Sequence, residues 1–304
     1  MIAKIQERSV KKRRTSVNVF GYLFISPWLL GFILFTSVPM IASLYLSFTK
    51  YDGLSNPIWI GLDNFTKMFA DATFYKSLGV TFKYVLLLVP LRLGFALLVA
   101  LLLSAKRRGI GLYRTMYYVP SLLGGSVAIA IVWGKLFGTE GAINAIMRTL
   151  GMRGLAYNWI GEPNTALYVL MLLGIWQFGS AMLIFVSGIK QIPASYYEAA
   201  LIDGATRSQR FLRITLPMLS PVIFFNLIMG IITAFKSFTE ALVITNGGPM
   251  DSTMVYALYI YKQGFSYFKM GYACALSWVL LFIIAFFSFF VFRSSESWVH
   301  YESK

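Results

Sequence analysis

Ile192-Pro193-Ala194-Ser195-Tyr196-Tyr197-Glu198-Ala199-Ala200-Leu201-Ile202-Asp203-Gly204-Ala205-Thr206-Arg207-Ser208-Gln209-Arg210-Phe211-Leu212-Arg213-Ile214-Thr215-Leu216-Pro217 decides how this chain is read. Ser195 followed three residues later by Glu198 fits a capping box, so a short helix is expected to start near Tyr196. Gly204 suits the end of that helix, because it takes up the left-handed conformation at little cost. Thr206 and Gln209 form a second capping box, which opens another helix. Pro217 is tolerated if it lies in the first turn of the next apolar stretch. The product is helix, Gly turn, helix. Tyr196, Tyr197, Leu201, Ile202, Phe211 and Leu212 make this knob too apolar to be left bare, so it either docks on a partner or lies against the membrane surface or the protein's own spans.

The segments around the knob are far more apolar than it is. Of the 304 residues, 58% are hydrophobic, 17% aromatic and only 13% charged, with mean hydropathy +0.68. Soluble domains carry roughly a quarter charged residues, and a water-exposed surface cannot be covered with half that number. The chain is therefore read as integral to a membrane, and disorder is excluded. A transmembrane helix needs about 20 mainly apolar residues. Six stretches qualify, at approximately 22–48, 78–103, 116–137, 165–189, 216–235 and 270–292. No repeated period-two alternation marks a barrel. The first stretch has no short apolar core followed by a small-residue cleavage site, so it is read as a retained span.

Charge sets the direction. With the N-terminus inside, the inner segments hold Lys4, Arg8, Lys11, Lys12, Arg13, Arg14, Lys106, Arg107, Arg108, Arg114, Lys190, Arg207, Arg210, Arg213, Arg293 and Lys304. The outer segments hold Lys50, Lys67, Lys76, Arg148, Arg153, Lys262 and Lys269. Sixteen against seven places both termini, and the knob, in the cytoplasm. The net charge of +15 thus reflects topology, not a stripe for nucleic acid. The outer segments 49–77, 138–164 and 237–269 are long enough to pack or bind something. Cys274 has no partner for a disulfide; near Gly271 and Ala275 it is read as small-residue helix packing. His300, near the chain's end, leaves no histidine for acid–base catalysis in a core.

Glu198-Ala199-Ala200, three residues, Gly204, nine residues, then Ile214-x-Leu216-Pro217 resembles the EAA loop of permease subunits of binding-protein-dependent ABC importers. The string is most similar to the carbohydrate-uptake branch. Ser26-Pro27-Trp28, Pro39 and Ser47-Phe48-Thr49-Lys50-Tyr51 resemble the first permease of a sugar-importer pair. So do Ile60-Gly61-Leu62-Asp63-Asn64-Phe65, Tyr118-Val119-Pro120 and Thr245-Asn246-Gly247-Gly248-Pro249.

The resemblance implies an all-α polytopic permease in a bacterial-type cytoplasmic membrane. Its parts would be a basic N-terminus (1–19), a first helix with its outer loop (20–77), the importer transmembrane domain (78–293, loop about 193–217) and a tail (294–304). It also implies coupling through Tyr197, Glu198, Ala199, Ala200, Asp203 and Gly204 to two cytoplasmic ATPase subunits that hold the ATP and Mg. No cofactor is expected on this chain, which has no G-x-x-x-x-G-K-S/T phosphate loop and is read as a transporter subunit, not an enzyme. A second homologous permease, an extracytoplasmic solute-binding protein, membrane lipid and a carbohydrate substrate complete the expected partners.

In the family the substrate cavity lies partway across the membrane on the central helices. The candidates there are Ser121, Trp176, Gln177, Phe178, Asn226, Thr233 and Ser237, with Gln177 foremost, since an amide at that depth needs partners. Arg92, in the second span, is read as pairing between helices in preference to substrate contact, and it keeps a phosphorylated polyol open as a rival substrate. Lys83 and Lys135 are read as snorkelling, and Lys236 and Glu240 as lying at the outer mouth. An ion-coupled secondary transporter is the rival from another class. It calls for paired acids or discontinuous helices within spans.

Overall fold

The computed structural model describes residues 21–105, 108–152 and 157–300. The basic N-terminus, Lys106, Arg107, Arg153 and the last four residues of the tail lie outside these. Three helices are each long and apolar enough to cross a membrane: α1 (Gly21–Ser47), α3 (Ala72–Ser104) and α13 (Met270–Trp298). Three further spans are bent pairs, giving six in all. All six stretches expected from hydropathy are present, but the third, fourth and fifth are not single helices.

Between α1 and α3 lie a two-stranded antiparallel hairpin, β1 (Thr49–Lys50) and β2 (Ile58–Trp59), and the short α2 (Asp63–Phe69). The third span joins α4 (Ile110–Leu123) to α5 (Val127–Phe137), followed by α6 (Ala142–Thr149). It bends by 98° at Gly124–Ser126. Gly125 has φ +78°, and Ser126 restarts the helix by accepting the Ile129 N–H. The fourth span, α7 (Ala166–Trp176) and α8 (Gly179–Gln191), bends by 42°. After α9 (Ala194–Ile202) comes the fifth, α10 (Arg207–Met218) and α11 (Ser220–Phe235), bent by 63° at Leu219 beside Pro217 and Pro221. Hydropathy averages over a window and is blind to such two- or three-residue breaks. The outer segment before α13 holds α12 (Tyr256–Tyr261).

One core gathers α3, α7, α11, α12 and α13 around fully buried Tyr256. Its N–H donates to Thr81 Oγ1 (2.7 Å) and its hydroxyl to the Leu276 carbonyl (3.0 Å), so α12 is locked between α3 and α13. Gly271 lets the start of α13 meet the hairpin, since a Cβ there would sit 2.0 Å from the Thr49 carbonyl. Asn64 donates to the carbonyls of Ser47 and Thr49 on the same side. Asp71 caps α3 through the Thr73 N–H and takes the Tyr259 and Tyr272 hydroxyls. Burial alone would raise its carboxyl, but these hydrogen bonds outweigh that and hold it below the ordinary value. Large apolar side chains along α1 stay exposed (Phe24 84%, Phe35 83%), as lipid contact requires.

Candidate functional site

Two regions bear on function: the helix–Gly–helix knob, and a cavity flanked by helix breaks at the level of Arg92.

In the knob, α9 starts at Ala194, directly after Pro193, and no side chain caps it. The expected Ser195–Glu198 capping box is absent. Pro193, with φ −59° and ψ 135°, ends the preceding segment and moves the boundary two residues forward, so Ser195 lies inside the helix and Glu198 a full turn in. Gly204 has φ +74°, as its place at the turn requires. The second capping box is complete: Thr206 Oγ1 accepts the Gln209 N–H, and the Gln209 side chain accepts the Thr206 N–H. A π-helical turn, Phe211–Thr215, then leads into the fifth span. Tyr197 turns inward, its hydroxyl 2.9 Å from Thr215 Oγ1, and fixes α9 against α10. Glu198, Ala199, Asp203 and Gly204 are exposed, and Ala200 is half-buried. Tyr196, Leu201, Ile202 (88%) and Leu212 are exposed as well. The knob thus presents an apolar surface with two exposed carboxylates, Glu198 and Asp203, and is fixed on its inner side by Tyr197.

The cavity, about 280 Å³, lies between α3, α8 and α11. Its polar lining is Arg92, Ser180, Asn226 and Thr233. Asn226 donates from Nδ2 to the Val222 carbonyl, and Thr233 donates to that of Met229. Of the expected cavity residues, the structure brings Asn226 and Thr233 onto this lining.

Ser121 and Gln177 sit beside it, at the breaks. The Gln177 carbonyl, freed where α7 stops, accepts from Arg92 Nη2 (2.7 Å) and Ser121 Oγ (3.1 Å). Ser121 Oγ in turn accepts the Ser180 N–H (3.1 Å), freed where α8 starts. A broken helix in lipid needs such partners, because no water reaches its free backbone groups. The contact is close: a Cβ on Gly179 would lie 2.4 Å from the Tyr117 carbonyl, and one on Gly124 2.4 Å from the Gln177 side chain. Nε2 of Gln177 and Nε of Arg92 are buried without partners.

The remaining candidates are placed elsewhere. Phe178 is buried edge-on against Phe95, with ring centroids 4.7 Å apart, and serves as core. Trp176 lies against Trp133, with ring centroids 5.7 Å apart and the planes tilted by 36°. Ser237 donates to Glu240 Oε2. Glu240, expected at the outer mouth, lies within electrostatic range of Arg92. Lys83 stands 4.8 Å over the Tyr168 ring, a contact that sequence spacing did not reveal. Among the described residues no cluster of His, Cys, Asp and Glu could hold a metal ion.

The Gln177→Leu variant separates the two halves of this residue. Its carbonyl stays, so the break should persist and the complex should still assemble. Only the amide is lost, a partner worth roughly 0.5–1.5 kcal/mol to a hydroxylated substrate. Uptake is expected to fall two- to tenfold with assembly intact. Unchanged uptake kinetics would assign the amide to packing.

Broken membrane helices around a mainly apolar cavity with a few polar groups, and a projecting helix–Gly–helix knob, define a helical transport subunit. The family of binding-protein-dependent transport system inner membrane components matches residues 93–296, and the chain belongs to it. It is 52% identical over 302 residues to a probable ABC transporter permease protein, YesP, of Bacillus subtilis, covering 98% of this chain and 96% of that one. It is 32% identical to the arabinooligosaccharides transport system permease AraP of the same species (91% and 88% covered). It is 33% identical to the sn-glycerol-3-phosphate transport system permease UgpA of Agrobacterium fabrum (93% and 97% covered). In fold it matches a chain of a bacterial ABC transporter involved in alginate import, with TM-score 0.80 at 22% identity, covering 93% and 97%. The chain is a membrane-spanning permease subunit and not an enzyme. Discontinuous helices, expected of a secondary transporter, occur in this ABC permease too.

Proposed function

We propose that this permease moves a sugar or oligosaccharide across a cytoplasmic membrane by alternating access, driven by ATP with Mg on two partner ATPase subunits. The observation that carries the reading is the knob: an exposed apolar surface around Glu198, shaped by the left-handed Gly204, on a family member without a phosphate loop. The knob docks in the ATPase, and both termini share its cytoplasmic side. A second permease completes the cavity between α3, α8 and α11, which is open and too small alone for an oligosaccharide. An extracytoplasmic binding protein delivers the substrate.

Sugar is favoured over a phosphorylated polyol because of how Arg92 is used. Its Nη2 donates to the Gln177 carbonyl, so the guanidinium is engaged in holding the helix break. The likeness to AraP supports this choice, while that to UgpA keeps the polyol as the result that would displace it.

The test is uptake of labelled oligosaccharide and of glycerol phosphate by the reconstituted complex. Oligosaccharide uptake that needs the ATPase and the binding protein, yet survives an uncoupler, is expected. Uptake collapsed by the uncoupler, or confined to glycerol phosphate, would overturn the reading. For orientation, a cysteine at Ser208 in a Cys274→Ala background should be shielded from an impermeant thiol reagent applied from outside.

A further inference from the structure

A further cavity lies far from the Arg92 region, on the side opposite the knob. It measures about 670 Å³ and is walled by the hairpin with its connection, the start of α3, and the segment from Gln263 to Tyr272. That volume falls within the ~300–1,000 Å³ range of small-ligand sites.

Gln263 lines it and is only 7% exposed. Its Oε1 is buried without a hydrogen bond, and its Nε2 makes none to a described residue. A buried amide oxygen left without a donor is costly. The surroundings are not loosely built, because Asn64, on the same lining and 5% exposed, has two partners.

The lining carboxylates are already engaged. Asp52 accepts from Leu54 N, Ser55 N and Ser55 Oγ, and Asp71 from Thr73 N, Tyr259 and Tyr272. Lys50, Lys67 and Lys269 also line the cavity, and none makes an ion pair or side-chain hydrogen bond to a described residue. Three lysines against two carboxylates leave the lining a net charge of +1, with the lysines unpaired among the described residues. At the rim Phe268 holds φ +52°, rare for a bulky residue, and its side chain is left 59% exposed. Tyr51 and Tyr272 supply further aromatic surface.

We infer that this outer cavity is a binding site for a carboxylate-bearing sugar unit, separate from the translocation cavity. The Gln263 amide donates to and accepts from ring hydroxyls. The aromatic rim covers the apolar face of the ring, and the lysines receive the carboxylate. The inference rests on the importer reading, which places this face outside the cell and makes sugar the solute that reaches it.

The experiment uses the purified permease–ATPase complex in lipid nanodiscs, without binding protein or ATP. Glucuronate-, galacturonate- and mannuronate-containing disaccharides are compared with their neutral counterparts by ligand-observed NMR. At least one acidic disaccharide is expected to bind at least tenfold more tightly than its neutral partner, with the preference shrinking as salt rises. Gln263→Leu should weaken acidic and neutral ligands alike by fivefold or more. Lys67→Gln with Lys269→Gln should erase only the preference for acid. Unchanged basal ATPase activity certifies that each variant is folded.

No binding, equal binding of acidic and neutral sugars, or binding indifferent to Gln263→Leu would overturn the inference. So would weakened docking of the binding protein in these variants without any saccharide signal, which would make the cavity a protein contact. Because binding is read without transport, uptake without binding overturns this inference alone, and binding without uptake overturns only the importer reading.

Discussion

Gly204→Val is expected to yield a permease that inserts and assembles with its partner permease but takes up substrate at least tenfold more slowly. Gly204 sits at φ +74°, and a Cβ placed there would meet nothing within 4 Å. The whole effect is therefore backbone strain, about 1–3 kcal/mol for a β-branched residue in the left-handed region. That strain acts on a turn with weak local support. α9 has no N-terminal side-chain cap; the Tyr197–Thr215 contact and the N–H groups of Asp203, Gly204 and Ala205, donating to the Ala199, Leu201 and Ala200 carbonyls, tie it to the turn and α10. The turn should reopen and carry the exposed face of α9 out of register with the ATPase. Gly204→Asn supplies the control, since asparagine tolerates this conformation and should retain most activity. Glu198→Ala should be milder than Gly204→Val. Glu198 caps nothing, so its loss reports only on the partner contact. Co-purification of the ATPase and substrate-stimulated hydrolysis are the readouts. Normal uptake in Gly204→Val would refute the coupling role.

The knob was legible because its signals are local. Gly204 and the Thr206–Gln209 box each act over three or four residues, and each lies where spacing puts it. The Ser195–Glu198 box failed for an equally local reason: two start signals competed, and Pro193 won. The spans were legible by hydropathy, and their breaks were not. Gly124–Ser126 and Gln177–Gly179 break because two segments of the chain cross so closely that a Cβ will not fit and because Ser121 and Arg92 answer the freed groups. These are contacts between residues 56 and 85 positions apart, which no window contains. Among the cavity candidates, Asn226 and Thr233, chosen for their polarity, line the cavity between α3, α8 and α11. Residue type could not tell Phe178, spent on Phe95, from an aromatic facing substrate. Lys50, Lys67 and Lys269 looked like ordinary outer-loop lysines until the fold gathered them over Gln263.

Arg92→Ala is expected to have the other large effect, and its form is as informative as its size. Arg92 and Ser121 donate to the same carbonyl, which has two lone pairs to fill. Losing the serine hydroxyl leaves the arginine in place and should cost about 0.5–1.5 kcal/mol. Losing the arginine removes a charge-assisted hydrogen bond, about 1.5–3 kcal/mol, though freedom from a partly buried charge offsets some of it. Losing both orphans the Gln177 carbonyl where water is scarce, so the double variant should fall below the sum of the singles by about 0.5–3 kcal/mol. Thermal unfolding of the purified complex measures this. Uptake should follow the same order, because the bend between α7 and α8 carries Ser180 into the cavity and is set by these two donors. Arg92→Lys should recover stability in part and uptake less, since an ammonium lacks the planar reach of the guanidinium. Additive losses would mean that the two donors act on separate structures and that the bend is held by the Gly179 crossing alone. Wild-type uptake in Arg92→Ala would show that the break needs no charge to hold it.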